Sequence, residues 1–252
     1  MGDNGGAVAA RQPTLPIQLI RRRIAALDWA ALGDALDTDG YARLPSLLTR
    51  SDCRALTQLY AAEPNFRTTI SLEQHRFGRG EYKYFSYPLP PLVAELRESL
   101  YPRLATIANH WNRRRGIPQR FPKSLRTFLS RCHREGQTRP TPLLLHYTTD
   151  GYNRLHQDLY GSVAFPIQLT CLLSRPGTDF TGGEFLLVEQ RPRMQSRGEA
   201  IPLEAGEGIL FPTRDRPVVS KRGFTAAQMR HGISRVRSGE RNTLGIIFHD
   251  AR

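Results

Sequence analysis

The chain has 252 residues, 39% of them hydrophobic and 23% charged. This permits one sizeable core with an accessory layer, leaves too little chain for two full enzyme domains and excludes wholesale disorder. The formal net charge of +13 predicts attraction to polyanions, although only Lys83, Lys123 and Lys221 are lysines and nucleotide composition alone produces such an arginine habit.

Three widely spaced cysteines, Cys53, Cys132 and Cys171, contain no CxxC pair. They argue against a disulfide framework or a zinc knuckle and predict buried, reduced thiols. No apolar run has transmembrane length, and residues 1–16 lack the charged-then-apolar pattern of a signal. The expectation is a cytoplasmic protein with no membrane partner and no obligate protein partner. The 21 glycines and 18 prolines imply many turns and favour a β-rich architecture.

Residues 1–26 pass from a Gly/Ala stretch through Pro13 and Pro16 to Arg21-Arg22-Arg23. They read as a basic, poorly ordered arm, helical near its end. Residues 27–116 read as a helical layer. Trp29, Leu32 and Leu36 share one face of a short helix, Tyr41 to Leu44 fits a strand, and Ser51 fits the cap of a second helix with Leu56, Leu59 and Tyr60 inward. After Pro90-Pro91, apolar residues recur at three and four (Val93, Leu96, Leu100, Leu104, Ile107, Trp111) until Gly116. This predicts a long scaffold helix, kinked or split at Pro102.

Residues 117–252 change character. Short β-prone runs alternate with Gly and Pro: 143–147, 167–173, 184–189, 209–211, 218–220 and 243–248. That spacing predicts a sandwich or barrel, and the lack of an intervening helical pattern argues against a βαβ fold.

His156-Gln157-Asp158 follows a predicted strand. On an extended chain residues i and i+2 face the same way, so an imidazole and a carboxylate are offered to one point. Two histidines and one carboxylate make the facial triad of non-haem Fe(II) sites, whereas a surface His-Asp pair needs no metal. The second histidine is His231, on a predicted late strand. Ten residues later Arg241 and Thr243 share a face, and an arginine fork beside a hydroxyl suits a carboxylate. Each residue alone has a bland reading; the ordered set is much harder to obtain by chance. His133, His146 and His249 read as structural histidines, with an inward position open to His249.

That ordered set resembles the Fe(II)/2-oxoglutarate-dependent oxygenases, whose pattern is HxD, a distal His and then Arg-x-Ser/Thr. Thr181-Gly182-Gly183-Glu184-Phe185 and Gly206-Glu207-Gly208-Ile209-Leu210-Phe211-Pro212 also look like strands of that superfamily. More closely, the chain resembles a prokaryotic oxygenase family catalogued as acting on alkylated nucleic acid. Phe77 to Phe85, Gly136 to Pro142, Glu189 to Ser196 and the ending Gly245-Ile246-Ile247-Phe248-His249-Asp250 carry that resemblance.

Similarity to the AlkB dealkylases is partial. Tyr147 precedes the shared HQD tripeptide as a cofactor-contacting tyrosine does there, but Leu145 stands where AlkB has asparagine, and Arg241 lies nearer the distal His. The resemblance implies a double-stranded β-helix (jelly roll, cupin-like) core at 117–252. It further implies Fe(II) on His156, Asp158 and His231, 2-oxoglutarate on Arg241, Thr243 and Tyr147, and dioxygen as second co-substrate. The implied reaction is C–H oxidation; on an N-methyl carbon, hydroxylation ends in loss of formaldehyde.

For the substrate, Arg76 to Phe85 interleaves aromatics with cations, which suits base stacking and phosphate contact and equally suits a packed lid. Arg79, Tyr82, Lys83 and Tyr84 are the candidate substrate contacts. Arg191, Arg193 and Arg197 form a second basic loop, and Arg214, Arg216, Lys221 and Arg222 a third. The favoured substrate is modified nucleic acid. The alternatives are hydroxylation of a protein side chain or small molecule, and a non-enzymatic nucleic-acid-binding domain.

Overall fold

The computed structural model describes residues 15–252, and its β-runs form two facing antiparallel sheets. In chain order the elements are α1 (Leu15–Ala25), α2 (Trp29–Thr38), β1 (Ala42–Leu44), α3 (Arg50–Leu59), β2 (Phe66–Ser71), β3 (Gly78–Arg79), β4 (Glu81–Phe85), α4 (Pro91–Arg114) and α5 (Leu125–Arg134). There follow β5 (Leu143–Tyr147), β6 (Tyr152–His156), β7 (Ile167–Leu172), β8 (Phe180–Gly182), β9 (Phe185–Gln190), β10 (Arg197–Ile201), β11 (Gly208–Pro212), β12 (Asp215–Ser220), β13 (Gly223–Ile233), β14 (Val236–Gly239) and β15 (Arg241–Ile246).

One sheet has seven strands in the order β1-β11-β7-β15-β5-β4-β2. The other runs β10-β9-β13-β6-β3, with β12 paired to β13, and β14 pairs β8 in a short ribbon. This is a jelly-roll core.

The seven-stranded sheet is buried on both faces, and period-two alternation sorts its side chains. On β7 and β15, Leu169, Cys171, Leu244 and Ile246 join the cluster formed with the helices. Their alternates Gln168, Thr170, Thr243 and Gly245 line a cavity facing the second sheet. Both faces being covered explains why these strands read as near-continuous apolar runs rather than alternating ones. The helical side is centred on α4, whose Val93, Leu96, Leu100, Leu104 and Trp111 are all buried.

Several expectations change. Residues 1–14 of the expected arm lie outside the described residues, but 15–25 form α1, docked by buried Ile20 and Ile24. Within 27–116 the strand expected at Tyr41 to Leu44 forms as β1, and β2 to β4, read as part of the helical layer, also belong to the sheets, with β4 completing the cavity wall through its register on β5. Helix α5 lies within the 117–252 segment, ahead of its first strand.

Helix α3 is capped by Thr49, not Ser51. The Thr49 hydroxyl accepts from the Asp52 amide, and the Asp52 carboxylate returns the bond, a capping box. Helix α4 runs unbroken through Pro102. Pro102 and Glu98, whose carbonyl loses its partner, both lie on the exposed face of the helix, where losing one intrahelical bond is least costly. The three cysteines are free and buried, as expected. Among the described residues no helix is long and apolar enough to cross a membrane.

Candidate active site

His156 is the last residue of β6 and His231 sits opposite it on β13, in direct antiparallel register. Their rings are 4.2 Å apart at the centroids. Asp158 lies two residues beyond the strand, so it is the loop rather than strand alternation that brings its carboxylate back to the pair. Asp158 Oδ2 is 3.2 Å from His231 Nε2, and Oδ1 is 3.6 Å from His156 Nε2. One ligand atom from each of the three lies within 4.8 Å of the others.

The backing of each side chain is specific. The His156 Nδ1 is 2.7 Å from the Arg154 carbonyl, leaving Nε2 to the site. The His231 ring packs on Phe211, 4.7 Å between centroids. Burial, helped by the neighbouring His231, lowers the pKa of His156, with Asp158 opposing. For Asp158, burial would raise the pKa, but His231, His156 and a hydrogen bond from Tyr160 together hold it well below the usual carboxylate range. These directions favour a neutral His156 imidazole and an ionised Asp158 carboxylate, forms that bind a metal.

Arg241 opens β15 directly opposite Tyr147 on β5. Its guanidinium carbon lies 6.0 Å from the Tyr147 ring centroid and 5.7 Å from that of Phe180. Both Arg241 and Tyr147 are fully buried, and Arg241 Nε and Nη1 and the Tyr147 hydroxyl have no hydrogen-bond partner. Burial pushes Arg241 down to about 10.

Gly183 explains the room. A Cβ built there would fall 2.8 Å from Arg241 Cδ, at a φ of +65° that disfavours any other residue. Gly80 does the same for Tyr147, at 2.7 Å from Cδ1. Thr243, one strand step inward, lines the cavity.

That cavity has a volume of about 210 Å³ and its wall includes Leu72, Tyr82, Leu145, Phe185 and Ile233 beside the two histidines and Asp158. Of the predicted substrate contacts, Tyr82 and Tyr84 line it, but the Tyr84 hydroxyl is committed to Tyr160. Lys83 does not face the cavity. Strand alternation turns it to the other side of β4, where its ammonium bonds the Tyr60 carbonyl and Glu63 and lies over the Tyr60 ring.

Arg79 stands outside the cavity wall, exposed between Glu73 and Asp150. Arg216 leaves the third basic loop, since it is buried against Glu189 and the carbonyls of Asp37 and Thr38. His133 and His146 pair with Asp250 and Glu240. His249 is buried, its Nδ1 accepting from the Phe165 amide.

Sequence reading passed over Tyr160 and Gln168. The first carried a usable signal, lying at i+2 from Asp158 on the HxD loop. The second is a lone amide in an apolar run, buried with its Nε2 unpartnered.

Residues 80–251 match the family described as an oxygenase catalysing oxidative methylation of damaged DNA. This chain belongs to that family. The oxygenase is also 53% identical over 190 residues to Uncharacterized protein Rv2227 of Mycobacterium tuberculosis (strain H37Rv), covering 73% of this chain and 81% of the relative.

Its fold is similar to an oxidoreductase of the 2OG-Fe(II) oxygenase family from Burkholderia pseudomallei (TM-score 0.52, 14% identity, 90% and 93% of the two chains). It is likewise similar to a prolyl 4-hydroxylase from Phytophthora capsici (TM-score 0.52, 16% identity, 96% and 68%). The protein is thus a member of an oxygenase family, and its jelly-roll fold is the one these 2OG-Fe(II) enzymes share. The residues present fit Fe(II) and 2-oxoglutarate: a two-imidazole, one-carboxylate donor set suits Fe(II), and a buried, unpartnered guanidinium suits the anionic end of the co-substrate.

Proposed function

We propose that His156, Asp158 and His231 hold Fe(II), that Arg241, Thr243 and Tyr147 hold 2-oxoglutarate, and that the oxidised C–H bond belongs to alkylated or otherwise modified nucleic acid. When bound, Fe(II) would supply oxidation of a C–H bond by dioxygen, one oxygen atom going to the product and the other to succinate as 2-oxoglutarate loses carbon dioxide. The chain binds, orients and excludes water. Arg241 gives the diacid's carboxylate a charge-assisted fork in a low-dielectric setting, Thr243 and Tyr147 add hydroxyls, and the apolar wall keeps solvent from the reacting carbon.

The observation that favours nucleic acid is the lip of the cavity. Phe77 lines the cavity yet is 49% exposed, and His75 stacks on it at 5.5 Å and 20°. Arg76, between them, is exposed and Arg79 follows on β3. An exposed aromatic platform flanked by cations suits an unstacked base and its phosphates, and the family description names damaged DNA. A second reading, hydroxylation of a protein side chain or small molecule, is favoured by the apolar wall of Leu72, Leu143, Leu145, Ile233 and Ile247.

The test is succinate release with Fe(II) and 2-oxoglutarate against alkylated oligonucleotides, free nucleosides and peptides. Stimulation by an alkylated oligonucleotide, lost in Phe77→Ala, supports the first reading; stimulation by a peptide alone supports the second.

A further inference from the structure

We propose that Tyr84 and Tyr160 form a two-hydroxyl tether that selects which oxygen of Asp158 faces the metal, making both of them positioning residues of this oxygenase. The inference rests on the His156, Asp158 and His231 assignment and goes beyond it. Asp158 lies past the end of β6 in an irregular stretch, so no strand ladder orients its side chain.

What orients it is the Tyr160 hydroxyl, which donates to Asp158 Oδ1 at 2.7 Å. Tyr160 in turn accepts from the Tyr84 hydroxyl at 3.0 Å. A phenol has one proton. Because the Tyr160 oxygen accepts from Tyr84, its own proton is directed to the carboxylate, and each bond polarises the next.

Tyr84 is itself fixed from behind. It sits in the β4–β5 ladder opposite Leu143. The Arg67 guanidinium lies 4.4 Å over its ring, and it meets Tyr82 and Tyr160 edge to face at 5.3 and 6.1 Å. Oδ1, engaged by Tyr160, lies 3.6 Å from His156 Nε2, while Oδ2, outside the tether, lies closer to the ring pair, 3.2 Å from His231 Nε2. Tethering one oxygen favours monodentate ligation, which keeps the remaining positions of a facial triad free for co-substrate and dioxygen.

Co(II), a spectroscopically visible probe for this donor set, tests the tether on metal-free protein. Tyr160→Phe is expected to bind Co(II) on the order of 10- to 100-fold more weakly, the usual cost of losing an outer partner of a ligand, and to shift the visible d–d absorption. Tyr84→Phe moves both readouts the same way by less. The double variant is no weaker than Tyr160→Phe alone, because the two hydroxyls act in series.

A folded Tyr160→Phe with wild-type affinity and spectrum overturns the tether. If Tyr160→Phe does not fold, Tyr84→Phe decides by the same two readouts, unchanged values being the overturning result. Wild-type protein that fails to bind Co(II) overturns the triad assignment itself, and the tether with it, which separates the two failures.

Discussion

Arg241 is 1% exposed with two of its nitrogens unpartnered. A buried cation without a partner costs several kcal/mol, a cost that an anion bound there, the proposed 2-oxoglutarate, would offset. Arg241→Gln should therefore raise the KM for 2-oxoglutarate about 100-fold, in line with the 2–5 kcal/mol lost when one member of a buried charge pair is truncated. Its thermal midpoint should be no lower than wild type; steady-state succinate release and a melting curve check both. A KM within threefold of wild type would remove Arg241 from the co-substrate site.

His249 gives a pH prediction. Burial pushes it down to about 4, with Arg97 acting the same way and Asp158 and Asp250 opposing. The unfolded chain protonates a histidine near pH 6.5. In the window between these values the unfolded state binds the extra proton, so this contribution to stability is complete above about pH 6.5 and falls on the way down to about pH 4. The slope approaches about 1.4 kcal/mol per pH unit. His249→Asn keeps an acceptor where Nδ1 receives the Phe165 amide and should flatten that slope in denaturant titrations of the metal-free protein at pH 7.5, 6 and 5.

At the scale of elements, the apolar contact between helical layer and core is supplemented by a buried arginine. Arg216 Nε bonds Glu189 Oε2 at 2.8 Å, and its terminal nitrogens bond the carbonyls of Asp37 and Thr38 at 2.5 and 3.2 Å. It thus clamps the C-terminal end of α2 to β9 and β12. Arg216→Met strips Glu189 of its buried partner, leaving the half-buried Arg191, and should cost about 3–5 kcal/mol in urea unfolding. Lysine should not rescue it, because one ammonium cannot reproduce the fork.

The same scale shows what pattern reading delivers. The strand at 143–147 was legible because β-prone residues stand between turn formers. The strand character of 66–71 and 78–85 was not, because their polar and aromatic residues are placed in the sheets only by tertiary pairing, β2 with β4, β4 with β5 and β3 with β6.

Across the whole molecule, a charge of +13 predicts a steep salt dependence of any nucleic-acid binding. Affinity for a single-stranded oligonucleotide should fall at least tenfold between 50 and 200 mM salt, since each released counterion adds to the log–log slope. Phe77→Ala should weaken binding by about 1–3 kcal/mol, the usual worth of a stacked base, while leaving the salt slope unchanged. Fluorescence anisotropy across a salt series reads both. A flat salt profile would place the charge in solubility rather than in recognition.

The grouping of His156, Asp158 and His231 was legible in the chain, because metal chemistry restricts residue type and strand geometry restricts spacing; the roles of Arg241 and Thr243 stand as proposals. The β-rich core followed from the punctuation of Gly and Pro. Tertiary structure alone decided which neighbours in the chain part company in space. Lys83 and Tyr84 are adjacent residues on opposite faces of one strand, and Arg216 looks like its basic neighbours until the sheet buries it. It alone also placed the Tyr160 hydroxyl on Asp158 and the Tyr84 hydroxyl on Tyr160, since a hydrogen bond spanning 76 residues of chain depends on how a strand and a loop close over one cavity, and local pattern carries no record of that closure.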